Sequence, residues 1–254
     1  NDRGFDEFFG VQMTPGFGIH AYIKNRFVTE VPTETTPGGW PKAKSYRYED
    51  VMPRTTEEAL KYIDWNVAER PDEPFFLYFP TTAIHTPIAP SEDFAGKSGV
   101  APYGEFVMEL DDAVGRVLAK VEEHGIRDDT LIIFTSDNGG HGRLGEHPVD
   151  PLGSVTKKYG HSPNAPWRGY KGYSAEGGHR VPFIASWPGQ IKPGTTCDEL
   201  VMLEDMMATF AEIIGSDLPS DSAEDSLSIL PYLKGKHPAT PIRDYAILST
   251  FYGY

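Results

Sequence analysis

Residues 130–140 have the sequence TLIIFTSDNGG, an apolar run that ends abruptly in a carboxylate, an amide and two glycines. A short run of β-branched and aromatic residues bounded by glycine predicts a buried strand of a parallel or mixed sheet. Ligands of such sheets bind beyond the carboxyl ends of the strands, where Asp137 and Asn138 lie. Their oxygens suit a hard cation such as calcium or magnesium. A strand followed by a simple Asx turn is the alternative interpretation.

The rest of the chain alternates strand and helix signals. Helices are predicted from Thr55 to Arg70 and over residues 104–124, and strands over residues 74–80 and 181–187. This alternation predicts an α/β fold with a mixed, mostly parallel sheet flanked by helices. A short amphipathic helix that ends at Gly215 has a methionine and aromatic stripe, which we expect to lie in the core.

The domain organisation follows from a change in composition near residue 220. Residues 1–220 are predicted to form the α/β domain, and residues 221–254 a linker and the start of a smaller carboxy-terminal subdomain. The chain opens with Asn1 and has no signal peptide, so we expect that residues upstream of it are missing.

Composition excludes several classes of function. The formal net charge is −14 and the pI is near 4.9, which argues against a basic face for nucleic acid. No stretch approaches the length of apolar sequence that spans a membrane. Cys197 is the only cysteine, so neither an internal disulfide nor a thiolate metal cluster is possible.

A histidine follows the predicted strand at residues 74–80. His85 would lie at the carboxyl end of that strand, at the same sheet edge as Asp137. There it could act as a general acid or bind an anion near neutral pH. The alternative is a loop histidine that bonds only to the backbone.

Cationic side chains precede the last predicted strand. Arg168, Lys171 and Arg180 are spaced by glycines, which allow close approach of the backbone, and they could form a cradle for a tetrahedral anion. An ordinary solvated basic patch is the alternative.

Two further groups of polar residues have less specific patterns. The carboxylates Glu105, Glu109, Asp111 and Asp112 are predicted to be solvated on the outer face of their helix rather than to bind a metal. The long loop over residues 139–167 is predicted to be functional. Its candidate contacts to a substrate, with solvated loop residues as the alternative interpretation of each, are His141, Arg143, His147, Lys157, Lys158 and His161.

Taken in order, the motifs resemble those of a known enzyme family. They are GFDEFFG at residues 4–10, FFLY leading to HTP at residues 75–87, FTSDNG at residues 134–139, RGYK at residues 168–171, and EGGHRVPF at residues 176–183. The chain resembles the formylglycine-dependent sulfatases of the arylsulfatase A type, in the alkaline phosphatase-like superfamily. The resemblance covers nearly the whole chain and thins after about residue 220.

The resemblance implies roles for individual residues. Asp137 and Asn138 would be ligands of a calcium ion, with magnesium as the alternative metal. Lys171 would contact the sulfate, His85 would lie near the bridging oxygen of the leaving alcohol, and Arg168 would add a contact to the substrate. The substrate would be a sulfate ester, such as an aryl sulfate or a sulfated carbohydrate. The family also implies a periplasmic, secreted or lysosomal location.

The sequence departs from the family pattern at the nucleophile. No Cys/Ser-x-Pro-x-Arg motif, the signal for making formylglycine, occurs in the chain. The paired aspartates that complete the calcium site on the family's first strand are absent too. We therefore expect an amino-terminally truncated sulfatase whose formylglycine lies upstream of residue 1, so that this chain alone gives no turnover. A phosphate-ester or phosphonate hydrolase of the same superfamily and a non-enzymatic module that binds sulfated glycans are the alternatives.

Overall fold

The computed structural model of the chain describes residues 4–145 and 150–250. The chain divides into two compact units. The first unit consists of Asn1–His124 and His141–Pro163, and the second of Gly125–Gly140 and Asn164–Tyr254. The boundary predicted near residue 220 falls within the second unit and stays a prediction.

Short antiparallel strands open the first unit. Strands β1 (Phe9–Gly10), β2 (Ile23–Lys24) and β3 (Phe27–Val28) form one sheet, and β4 (Glu34–Thr35) pairs with β5 (Pro41–Lys42). A buried hydrophobic cluster stabilises this region. Its members are Ala21, Tyr22, Ala43, Tyr46 and Val51. This amino-terminal region therefore has a core of its own.

Among the residues that the structure describes, three α-helices complete the first unit. These are α1 (Val51–Glu69), α2 (Ala101–Glu123) and α3 (Ser154–Tyr159). Helix α1 begins four residues before the predicted start, because the Thr55 hydroxyl donates to the Val51 carbonyl within the helix, at 2.8 Å, instead of capping it. Helix α3 lies within the loop predicted to have no regular structure.

Helices α1 and α2 pack against each other around a second buried cluster. Its members are Met52, Ile88, Tyr103, Phe106, Ala113, Leu144 and Val155. Ile88 lies three residues after His85, and Leu144 lies three residues after His141. The cluster therefore anchors the segments that carry both histidines.

The prediction of four solvated carboxylates on α2 is wrong for two of them. Glu105 and Glu109 are only 9% and 4% exposed, whereas Asp111 and Asp112 are exposed. Glu109 accepts a hydrogen bond from the Ser91 N–H at 3.0 Å, and Glu105 accepts one from the Gly96 N–H at 2.9 Å. Burial raises the pKa of Glu109, since it disfavours the charged carboxylate. The cause is the chain at residues 91–96, which covers this face of α2 and brings N–H groups that need acceptors.

The second unit contains a two-stranded antiparallel sheet. Strand β6 (Ile132–Thr135) pairs with β7 (Phe183–Ser186), so that Ile133 lies opposite Ala185. Strand β7 begins two residues after the start predicted from the sequence, because Pro182 cannot donate to the ladder.

Parallel pairing is not observed between the strands named here, all of which pair in antiparallel fashion. Residues 74–80 have no strand assignment, and Phe76 and Tyr78 are exposed. The prediction of a buried strand there is wrong for the described chain, because a strand requires hydrogen bonds to a neighbour.

Short helices complete the second unit: α4 (Glu176–His179), α5 (Asp205–Ile214) and α6 (Leu230–Leu233). Helix α5 ends at Gly215, which adopts the left-handed conformation at φ 69°. The expectation that its apolar stripe lies in the core is wrong for Met207 and Ile214, which are 57% and 75% exposed. Asp205 and Thr209 are buried instead, because they accept hydrogen bonds from the chain at residues 227–229.

Candidate active site

Asp137 and Asn138 lie directly after strand β6, in the second unit. Asp137 is exposed and Asn138 is half-buried. The Ser136 hydroxyl donates to the Asn138 carbonyl at 3.0 Å, and the Asn138 side-chain nitrogen donates to the Gly139 carbonyl at 3.2 Å. This second bond orients the amide so that Oδ1 can serve as a ligand. The donor set of one carboxylate and one amide oxygen fits calcium.

Glycines hold this strand end against helix α4. The Gly139 N–H donates to the Gly178 carbonyl at 2.9 Å, and a Cβ atom on Gly139 would lie 1.8 Å from the Gly177 carbonyl oxygen. No other residue type could occupy position 139 without moving the backbone. The glycines of the DNG and EGG motifs therefore allow two functional segments to meet.

A main-chain hydrogen bond joins the segment that carries Lys171 to the end of strand β6 at Gly140. The Lys171 N–H donates to the Gly140 carbonyl at 3.3 Å, and the Gly177 N–H donates to the Arg168 carbonyl at 2.8 Å. Lys171 is half-buried and Arg168 is exposed. The second unit therefore brings Asp137, Asn138, Arg168 and Lys171 together through their main chain.

Asn164 is a residue that the sequence did not single out. Its side chain accepts a hydrogen bond from the Gly140 N–H at 2.9 Å and donates to the carbonyls of Gly140 and Gly169, at 2.8 and 3.0 Å. One amide thus joins the strand end to the segment of Lys171. In the sequence, Asn164 is marked only by its place between Pro163 and Pro166. That pattern predicts a turn but does not predict these side-chain hydrogen bonds.

Arg180, the third cation of the predicted cradle, has other partners. Its guanidinium lies 4.2 Å from the centroid of the Trp167 ring, and one nitrogen lies 3.2 Å from a Glu176 carboxylate oxygen. Arg168 and Lys171 remain as candidates to bind an anion.

His85 belongs to the first unit, where it is half-buried in a loop. Its Nδ1 lies 2.7 Å from the Thr86 carbonyl oxygen. Because a carbonyl can only accept, Nδ1 carries the proton and Nε2 holds the lone pair when the ring is neutral. Protonation would make Nε2 a donor. The His85 ring lies at 84° to the ring of His141, with centroids 6.1 Å apart.

The other candidates of the long loop have different surroundings. The ring of His161 contacts the buried Tyr103 ring at 6.0 Å, and the Lys158 ammonium lies 5.3 Å from the Tyr159 ring. His141 is buried. His147 lies outside the described residues.

Two features are absent from residues 4–145 and 150–250. These residues hold no group of three or more His, Cys, Asp or Glu side chains arranged to bind a metal. No helix in this part of the chain has the length and apolar character needed to cross a membrane.

A model of the Sulfatase family matches residues 2–216. The chain belongs to the sulfatase family. The resemblance expected from its motifs is therefore confirmed.

Among sulfatases, the chain is 36% identical over 187 residues to an arylsulfatase of Hemicentrotus pulcherrimus, covering 74% of this chain and 31% of that protein. It is 34% identical over 199 residues to an N-acetylgalactosamine-6-O-sulfatase of Bacteroides thetaiotaomicron, covering 77% of this chain and 36% of that protein. The chain thus spans about a third of the length of these sulfatases.

A solved structure from work on glycosaminoglycan metabolism by Bacteroides thetaiotaomicron has a TM-score of 0.75 and 27% identity, covering 91% of this chain and 55% of that chain. This match confirms the predicted α/β fold of the sulfatases.

Proposed function

We propose that this chain forms the metal- and sulfate-binding part of an enzyme that hydrolyses sulfate esters. One observation carries the proposal: in a member of the sulfatase family, main-chain hydrogen bonds join the Asp137–Asn138 strand end to the segment of Lys171. In this proposal, the residues that would bind the cation and the ammonium of Lys171 lie on connected pieces of backbone. Both kinds of group stabilise negative charge on a sulfuryl group.

Asp137 and Asn138 would hold a calcium ion through a carboxylate oxygen and Oδ1. Bound calcium, or magnesium in its place, supplies positive charge to the sulfuryl oxygens. Asp137 is exposed at the strand end, and the hydrogen bond from the Asn138 nitrogen to Gly139 leaves the amide oxygen for the metal. Two ligands make only part of a calcium shell, which normally has six to eight oxygens.

Lys171 would bind a sulfate oxygen, and Arg168 would add a second positive charge. In a chain with a net charge of −14, an anionic substrate needs a local positive site. The hydrogen bond from Lys171 N–H to Gly140 limits how far this segment can move from the metal ligands.

His85 would protonate the leaving oxygen. Its Nδ1 is held by the Thr86 carbonyl, so Nε2 is the atom that carries the transferable proton. Positioned general acids of this kind contribute about 10²- to 10⁴-fold in rate.

The nucleophile in this proposal is a formylglycine outside residues 1–254. The substrate class is a sulfated carbohydrate, which the names of the N-acetylgalactosamine-6-O-sulfatase and of the glycosaminoglycan-metabolism structure support. A periplasmic, secreted or lysosomal location forms part of the same proposal.

The test uses the full gene product with paired aryl sulfate and aryl phosphate substrates and a sulfated N-acetylgalactosamine. We expect hydrolysis of the sulfates that EDTA abolishes and calcium restores. Asp137→Ala and Lys171→Ala should each lower kcat/KM by at least about 100-fold, in the range found for single charge-stabilising groups. Lys192→Ala, which removes an exposed lysine elsewhere in the second unit, is the matched control and should have no effect.

Other results would point to other functions. Preference for the aryl phosphate would indicate a phosphate-ester hydrolase. Glycan binding that persisted in Asp137→Ala and Lys171→Ala, without turnover in the wild type, would indicate a binding module.

A further inference from the structure

His141 is a buried histidine to which the proposed reaction assigns no role. It is 9% exposed and begins the part of the long loop that belongs to the first unit. Its carbonyl accepts a hydrogen bond from the Gly153 N–H at 3.0 Å, and the Gly142 carbonyl accepts one from the Val155 N–H at 2.9 Å. Both bonds are made at the start of α3, so they hold the backbone of residues 141–142 against that helix and limit where the His141 ring can lie.

Backbone partners also set the tautomers of the two histidines. His141 Nδ1 lies 3.0 Å from the Arg143 N–H, from which it accepts, so its proton is on Nε2 when the ring is neutral. His85 has the opposite tautomer, since its Nδ1 donates to the Thr86 carbonyl. Each ring thus has one nitrogen committed to the main chain.

The two loops that carry these rings are packed tightly together. A Cβ atom on Gly145 would lie 2.4 Å from the Ile88 Cβ atom. Ile88 and Leu144 share the buried cluster of α2, against which Ala83 and Ile84 also pack. The 84° angle between the rings of His85 and His141 puts the edge of one ring against the face of the other.

We propose that His141 is a positioning residue for His85. Its ring restricts rotation of the His85 ring, which keeps Nδ1 on the Thr86 carbonyl and Nε2 in one position for the leaving oxygen. His141 acts through His85 and does not contact the reacting atoms. The inference rests on the proposed function for the role of His85, but its structural part can be measured without turnover.

Among the described residues, titratable groups on the surrounding elements include Arg143 on the same loop, Lys157 and Lys158 on α3, Tyr103 on α2, and His161, whose ring contacts Tyr103. Burial raises the pKa of the Tyr103 hydroxyl, so this group stays neutral when a histidine titrates.

Two substitutions distinguish the effect of the His141 ring from the effect of its hydrogen bond to the loop backbone. Asparagine in His141→Asn keeps an acceptor for the Arg143 N–H through Oδ1 but removes the ring. Phenylalanine in His141→Phe keeps the ring but removes the acceptor. The proposal predicts that His141→Asn disturbs His85 more than His141→Phe does.

The first measurement is long-range ¹H–¹⁵N NMR of this chain, with the His85 signals identified from His85→Gln. In the wild type we expect the Nδ1–H tautomer of His85. In His141→Asn we expect a mixture of tautomers and a shifted titration midpoint, whereas His141→Phe should keep the wild-type tautomer.

The second measurement is the pH profile of sulfate-ester hydrolysis by the full gene product. His141→Asn should lower kcat by about 10- to 100-fold, as misplaced catalytic groups do, with KM changed less than about twofold. The pH limit that reports His85 should shift, and His141→Phe should restore much of the loss.

The inference would be overturned if His85 kept its tautomer and its titration in His141→Asn. It would also be overturned if both variants disturbed His85 equally, because the effect would then come from the structure of the loop and not from the His141 ring. These results leave the proposed function standing. Sulfate hydrolysis that is unaffected by His85→Gln would instead refute the role of His85 in that function, whatever the NMR signals show.

Discussion

Gly139→Ala is the substitution that most directly tests how the strand end is held. The added Cβ atom would lie 1.8 Å from the Gly177 carbonyl oxygen, and Cβ atoms essentially never approach other atoms below 3.0 Å. The backbone must move to supply the missing distance of about 1.2 Å, because a Cβ atom cannot rotate away and the atoms it would meet belong to the main chain. The hydrogen bond from Gly139 to Gly178 would be strained or lost with it.

The expected cost can be worked out from these contacts. Overpacking costs about 1–3 kcal/mol, and the hydrogen bond contributes about 1 kcal/mol. We expect the free energy of unfolding to fall by about 2–4 kcal/mol, which lowers Tm by about 4–16 °C for a chain of this size. In the full gene product, displacement of catalytic groups by about 1 Å should reduce kcat/KM by about 100-fold.

The assay is urea and thermal unfolding followed by circular dichroism, together with calcium titration. Gly115→Ala is the matched control, since nothing lies within 4 Å of its Cβ position in helix α2. It should raise the free energy of unfolding by about 0.5–1 kcal/mol, because alanine is the better helix former. If Gly139→Ala unfolded within about 0.5 kcal/mol of the wild type, the argument for close backbone packing at this site would be wrong.

Three further predictions concern other parts of the chain. Asn164→Ala removes three side-chain hydrogen bonds and should destabilise the chain by about 2–4 kcal/mol in urea unfolding. Asp205→Ala leaves the Arg243 guanidinium, 2.5 Å from the carboxylate, without its buried partner and should cost about 3–5 kcal/mol in the same assay. Burial lowers the pKa of His20 below its ordinary 6.5, because it disfavours the charged ring. The contribution of neutral His20 to the free energy of unfolding should therefore be complete above pH 6.5 and be lost as the pH falls through the lowered pKa. His20→Phe should remove this part of the pH dependence.

Each of these predictions has a result that would contradict it. Asn164→Asp keeps the acceptor for Gly140 N–H but loses both donors, so stability equal to the wild type would exclude a role for those donors. An Asp205→Ala chain as stable as Asp217→Ala, an exposed control, would exclude the buried ion pair as a source of stability. A His20→Phe chain with the same acid transition as the wild type would assign that transition to other groups.

The sequence predicted those elements whose determinants are local. Helix α2 and helix α5 follow from apolar periodicity and from glycines at their carboxyl ends. Strand β7 begins after Pro182 because proline cannot donate to a ladder. The motifs around Asp137, His85 and Lys171 likewise identified the family, since order and spacing along the chain are properties of the sequence itself.

Pairing and burial could not be predicted in this way. The antiparallel partnership of β6 and β7 joins strands about fifty residues apart, and the strand expected at residues 74–80 has no ladder partner in the described chain. The buried state of Glu109 depends on a segment that covers α2 and supplies the Ser91 N–H, which the helix pattern does not contain.

By itself, then, the sequence determined the family, the main helices and the chemical groups of the site, because periodicity, capping residues and motif order are local. Only the tertiary structure decided how these groups are held. It alone showed the glycine contact between residues 139 and 177, the three bonds of the Asn164 amide and the ring of His141 beside His85. Each of these joins residues far apart in the chain, and such contacts follow from packing and from the need to satisfy buried polar groups.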